Sequence, residues 1–137
     1  MERSKDGNIE SKPVANQIDD PSICVVRIGE GERVSGRLAE MLRPVDPGSL
    51  QEVRVPANTD LELHYHDFDE YWLFTSGRPL VTLRSPSGAK VALDVGPGDL
   101  VACVRGVEHT NRADHEIACF QFTSVRKDGD REGHLTR

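Results

Sequence analysis

The stretch HYHDFDEYW, residues 64–72, sets two imidazoles two positions apart and a carboxylate four positions further on. In an extended chain, side chains at i and i+2 share a face. A strand over 61–66 therefore presents His64 and His66 side by side and turns Tyr65 away. Asp67 and Asp69 are poor strand formers and place a turn before EYWLFT (70–75), where the chain resumes as a strand and Glu70 swings alongside the histidines. Imidazole nitrogen together with carboxylate oxygen is a donor set for divalent transition metals. The competing reading is a polar strand edge whose imidazoles hold no ion.

Outward from this stretch, short runs of β-branched and apolar residues alternate with Gly, Pro, Asn and Asp. They predict further strands over 23–28, 50–55, 80–84, 90–95, 100–104 and 116–122. SPSG (85–88) has the composition of a hairpin turn, and VGPGD (95–99) that of a tight bend. A short helix is expected over 35–42, with Ser35 as cap, Leu38 and Leu42 on one face, and Pro44 stopping it. Strands at this spacing predict an all-β sandwich or barrel.

The 137 residues suit one domain. Residues 1–20 are polar without apolar periodicity and are expected to be a flexible N-terminal arm. Residues 21–125 form the folded domain, and 126–137 a charged C-terminal tail. A net charge of -6 excludes a protein that tracks phosphates over a cationic surface, so no nucleic-acid partner is expected. No apolar run approaches the roughly 20 residues that span a bilayer, and the start lacks the apolar stretch of a secretory signal. Three cysteines without a C-x-x-C pair fit a reducing compartment. The expected location is cytoplasmic, without membrane association.

A second stretch, PGDLVACVRGVEHTN (97–111), places His109 after a glycine turn at Gly106. A sheet folding back on itself brings His109 beside the first cluster. Together the two stretches resemble the motifs of the cupin superfamily. The first motif is a glycine, five residues, H-x-H, three or four residues, E, six residues, G; here Asn58, His64, His66, Glu70 and Gly77 stand at those spacings. Asn tolerates the left-handed turn that the leading glycine would adopt. The second motif is matched by Gly98, Gly106 and His109. Val104 replaces its usual proline and Ala113 its asparagine, with Asn111 nearby. The resemblance covers roughly residues 45–123. It implies a cupin double-stranded β-helix, or jelly-roll barrel, enclosing a metal centre of His64, His66, Glu70 and His109. The ion would be Fe, Mn, Ni, Co or Zn, which donor type alone does not choose.

Strand parity extends this inward. With Glu70 facing in, Trp72 and Phe74 face in as pocket residues, while Tyr71 and Leu73 face the other surface. Glu62, two residues from His64, would also face in and is the candidate catalytic base; the alternative is a solvated rim residue. Glu108 should point away as a surface charge. Asp67 and Asp69 either cap their turn or orient the histidines. Cys103 and Cys119 read as small core residues, and His115 and His134, without motif context, as exposed. The resulting expectation is a metal-dependent enzyme, of oxygenase, isomerase or lyase type, acting on a small polar metabolite that chelates the ion. The alternative is a non-catalytic cupin that binds a sugar or organic acid. Open sheet edges need cover, so the segment ICVVRI is expected to pair with a second copy in a homodimer.

Overall fold

A computed structural model describes residues 22–27 and 42–137, and over these the ordered elements are all strands. The N-terminal arm and all of the expected helix except Leu42 lie outside the described residues; Leu42 itself is irregular. The strands are β1 (Ile23–Arg27), β2 (Val45–Val55), β3 (Glu70–Ser76), β4 (Leu80–Arg84), β5 (Lys90–Asp94), β6 (Asp99–Cys103), β7 (Glu108–Arg112) and β8 (Ile117–Ser124).

They form two antiparallel sheets, one in the order β1-β6-β3-β8-β2 and the other β5-β4-β7. Alternation decides what lies between them. Ile23, Val25, Trp72, Phe74, Val81, Leu83, Val91, Leu93, Val101, Ile117 and Cys119 share one buried cluster. Their neighbours Cys24, Val26, Tyr71, Leu100 and Ala102 form a second cluster on the other face of β1, β6 and β3. Burying one such aliphatic side chain is worth about 1.5–3 kcal/mol, so the alternation fixes register: a slip of one residue would exchange the faces. β1 pairs with β6 of its own chain, Ile23 opposite Cys103 and Val25 opposite Val101, and stands last in the sheet among the described strands.

Three sequence expectations need correction. The strand over 61–66 is absent; His64 and Tyr65 make isolated bridges to His109 and Leu135 instead. That segment changes partner between adjacent residues, so no continuous ladder forms. β7 was not among the predicted strands, because EHTNR has no apolar alternation, yet it pairs along its whole length with β4. β2 begins five residues before the predicted 50–55, and the register against β8 shifts between Asp46 and Gln51 around Pro47 and Gly48.

Two turns position the site. Asn58 has φ 58° and Gly77 φ 87°, both in the left-handed region. Asn is one of the few residues with a side chain that visits this region routinely. At Gly77 a Cβ would also lie 2.5 Å from Ile117 Cγ2, so β3 can turn tightly against β8 only without a side chain there.

Candidate metal centre

The backbone brings the two histidine-bearing stretches together before any side chain acts. His109 N–H donates to the His64 carbonyl at 2.7 Å, and His64 N–H to the His109 carbonyl at 3.3 Å. Residues that exchange both bonds across an antiparallel pair put their side chains on the same side. The two imidazoles are thus 4.5 Å apart between centroids. Gly106 N–H donates to the His66 carbonyl at 3.0 Å and ties the next part of the segment to the same turn. Glu70 enters from β3, two residues before Trp72.

His64, His66, Glu70 and His109 are all buried. Each histidine is oriented through Nδ1, which donates to a backbone carbonyl: His64 to Glu62 at 2.7 Å, His66 to Gly133 at 2.8 Å and His109 to Val107 at 2.9 Å. With Nδ1 carrying the proton, Nε2 carries the lone pair. Among the described residues, His66 Nε2 and His109 Nε2 are buried without a hydrogen-bond partner. They lie 3.7 and 3.4 Å from the two oxygens of Glu70. Buried polar atoms normally find partners, so two orphaned lone pairs facing one carboxylate fit a cation between them. The carboxylate is itself aimed: Trp72 Nε1–H donates to Oε2 at 2.9 Å and Gln121 Nε2–H to Oε1 at 2.9 Å.

Protonation states agree with this donor set. Burial pushes His64 down to about 4, against the weaker lift of its bond to the Glu62 carbonyl. Burial likewise lowers His66, despite the raising charge of Glu70. For Glu70, burial alone would raise the carboxyl, but His109, His66 and Trp72 together outweigh it and hold it below the ordinary glutamate value. Near neutral pH the centre therefore offers His64 and His66 as neutral imidazoles and Glu70 as an ionised carboxylate, the forms that bind metals.

The four expected donors do not fall into one tight group. Ligand atoms of His66, Glu70 and His109 lie within 4.8 Å of one another, and a second such trio joins His64 and His66 to His134. His134 is exposed, as expected, but its ring stacks on His64 at 4.0 Å between centroids. Sequence reasoning missed it, since no motif spacing points to residue 134.

Other residues fall as follows. Trp72 lies under the site, its ring 5.3 Å from that of His109, and Phe74 sits deeper against Trp72 at 6.1 Å. Both belong to the core cluster. The cavity that opens on Glu70 is about 430 Å³ and is lined instead by Asp46, Ser49, Phe68, Gln121, Thr123 and Arg126, among others. Glu62 is exposed; the strand that would have turned it inward is missing, and its carbonyl, bound by His64, is what reaches the site. Asp67 and Asp69 hold arginines rather than histidines: Arg131 bonds Asp67 at 2.8 and 2.9 Å, and Arg43 reaches both oxygens of Asp69 at 2.6 Å. They also accept backbone N–H groups, of Arg131 at Asp67 and Arg105 at Asp69, and backbone carbonyls, not these carboxylates, orient the imidazoles. Glu108 points away from the site, as parity requires, but it is 1% exposed rather than a surface charge. Arg84, opposite it across β4 and β7, and Arg137 cover it. Cys103 and Cys119 are buried, and burial raises both thiols.

The chain is 32% identical over 84 residues to the uncharacterized protein y4oW of Sinorhizobium fredii, a match covering 61% of this chain and 37% of the relative. It thus spans well under half of that relative's length. No family model matches. Among solved structures, a cupin-2 domain protein of Rhodospirillum rubrum superposes with TM-score 0.52 at 17% identity, over 93% of this chain and 84% of that one. The capsular polysaccharide assembling protein CapF of Staphylococcus aureus superposes with TM-score 0.52 at 14% identity, over 87% of this chain and 31% of CapF. At these identities the likeness is one of fold.

Proposed function

We propose that this chain, a cupin by fold, binds a divalent transition metal through His64, His66, Glu70 and His109 and presents it to a small, oxygen-rich metabolite. One observation carries the reading: the Nε2 atoms of His66 and His109, without a hydrogen-bond partner among the described residues, buried and facing the Glu70 carboxylate. A bound ion would supply Lewis acidity toward a chelating oxygen pair. The chain's own residues do the rest. Trp72 and Gln121 fix the Glu70 carboxylate, the carbonyls of Glu62, Gly133 and Val107 fix the imidazole tautomers, and the apolar cluster beneath keeps water from the inner side.

The cavity above Glu70 has the size of a small-metabolite site. Gln121, Thr123 and Ser49 line it with amide and hydroxyl groups, and Arg126 brings a guanidinium to the mouth, stacked 4.4 Å over Phe68. That lining suits a sugar, a hydroxy acid or a diketone. A metal-dependent oxygenase, isomerase or lyase is the first reading. The second is a binding protein without turnover, favoured by the exposed position of Glu62 away from this cavity.

Elemental analysis of the purified chain tests the metal reading. The expected result is one bound transition ion per chain, lost in His66→Ala by more than the about 10–100-fold that removal of a mere supporting group costs. An unchanged metal-to-protein ratio in that variant would refute the ligand set. Oxygen uptake by the iron-loaded chain with hydroxy acids and diketones then separates an oxygenase from the other reactions, and calorimetry with the same compounds measures binding without turnover.

A further inference from the structure

The charges of residues 126–137 suggest only an irregular tail, but the segment is laced across the site. Leu135 exchanges both backbone hydrogen bonds with Tyr65, each 2.9 Å. The Gly133 carbonyl accepts from His66 Nδ1 at 2.8 Å. Arg131 grips Asp67, and the Arg137 guanidinium lies 4.1 Å over the Tyr65 ring. Between Gly133 and Leu135 these contacts leave His134 little freedom. Its ring stacks on His64 at an interplanar angle of 17° and meets His66 edge-on at 5.3 Å. A ligand nitrogen from each of the three lies within 4.8 Å of the other two. His134 is exposed, so apolar burial does not account for its place.

We propose that His134 is a further ligand of the metal, delivered by the segment 126–137 to the solvent side of the site and displaced when a chelating small molecule enters. The proposal rests on the metal reading above. His66 belongs to both trios of donors, His66–Glu70–His109 and His64–His66–His134. An ion held by the buried trio therefore has the second pair of imidazoles beside it. Because the segment is clamped independently at Asp67 and Tyr65, ordering His134 costs little further entropy. The same clamp makes the segment a gate: releasing it removes one donor and the Gly133 carbonyl that orients His66, while His64, Glu70 and His109 keep their own holders.

The test is Co(II) titration of the intact chain, followed by calorimetry and by the visible ligand-field spectrum of the bound ion. His134→Ala should bind Co(II) about tenfold more weakly, the lower end for loss of a group that supports a metal site, and should change the spectrum. Arg131→Ala, which loosens the clamp but removes no donor, should shift the spectrum in the same direction. Azide should bind more tightly to Co(II)-loaded His134→Ala than to the parent chain, having no imidazole to displace. His115→Ala, an exposed histidine elsewhere, should match the parent in all three. Parental affinity, spectrum and azide binding in His134→Ala would overturn the proposal. If His66→Ala loses Co(II) in that case, the metal reading survives alone; if the parent chain takes up no Co(II), both fall.

Discussion

Trp72 sets how well Glu70 is aimed. Its indole N–H and the Gln121 amide each hold one carboxylate oxygen at 2.9 Å, and both would be lost to a rotamer change at position 70. Trp72→Phe keeps a ring in the core but removes the donor. It should weaken metal binding by about 10–100-fold, as loss of an orienting partner does, and lower stability by about 1.5–3 kcal/mol, the worth of a hydrogen bond to a charged group. Metal titration and chemical denaturation of the metal-free chain measure the two effects separately. A variant with unchanged affinity would show that Glu70 is held by Gln121 alone. Parity along EYWLFT was enough to turn Trp72 inward. That its polar edge meets Glu70 rather than an open pocket depends on the ring's rotamer, on which a sequence pattern is silent.

Among the elements, the turn after β3 carries the sharpest constraint. Gly77→Ala should destabilise by about 1–3 kcal/mol for the left-handed backbone alone, and by more because the added methyl meets Ile117 and the Glu116 carbonyl. Thermal unfolding reads this out; a melting temperature equal to the parent's would mean that the turn relaxes. Asn58→Gly, where φ is 58°, should by contrast stay near the parent, since glycine adopts this conformation freely. The turns were legible because glycine and asparagine announce unusual backbone. β7 was not: its buried residues are polar or charged, His109 and Asn111 on one face and Glu108 on the other. Only pairing with β4, which sets Arg84 opposite Glu108, makes that polar run stable as a strand.

At the scale of the molecule, stability rests on both faces of the larger sheet. Tyr71 belongs to the outer cluster, fully buried, with its hydroxyl donating to Asp69 at 3.2 Å. Burial, and next the negative charge of Asp69, raise its pKa from 10.0 to about 12. Above pH 10 the unfolded chain gives up this proton while the folded chain keeps it, so stability falls as pH rises. The contribution is whole below pH 10 and lost progressively toward pH 12. Denaturation midpoints across that range should decline in the parent and decline less in Tyr71→Phe; equal slopes would contradict the burial argument. Gel filtration addresses the expected homodimer; elution at the monomer mass would remove it. No helix among the described residues is long and apolar enough to cross a membrane.

By itself the sequence determined the strand alternation, the left-handed turns, and the residue types and spacing of His64, His66, Glu70 and His109, because these follow from backbone geometry and donor chemistry within short stretches. Tertiary structure decided which groups hold those donors in place. The Gly133 carbonyl on His66, the Gln121 amide on Glu70 and the ring of His134 on His64 all come from far along the chain. Contacts over such separations are set by how the two sheets close and by where the segment after β8 crosses them, and no local pattern encodes that path.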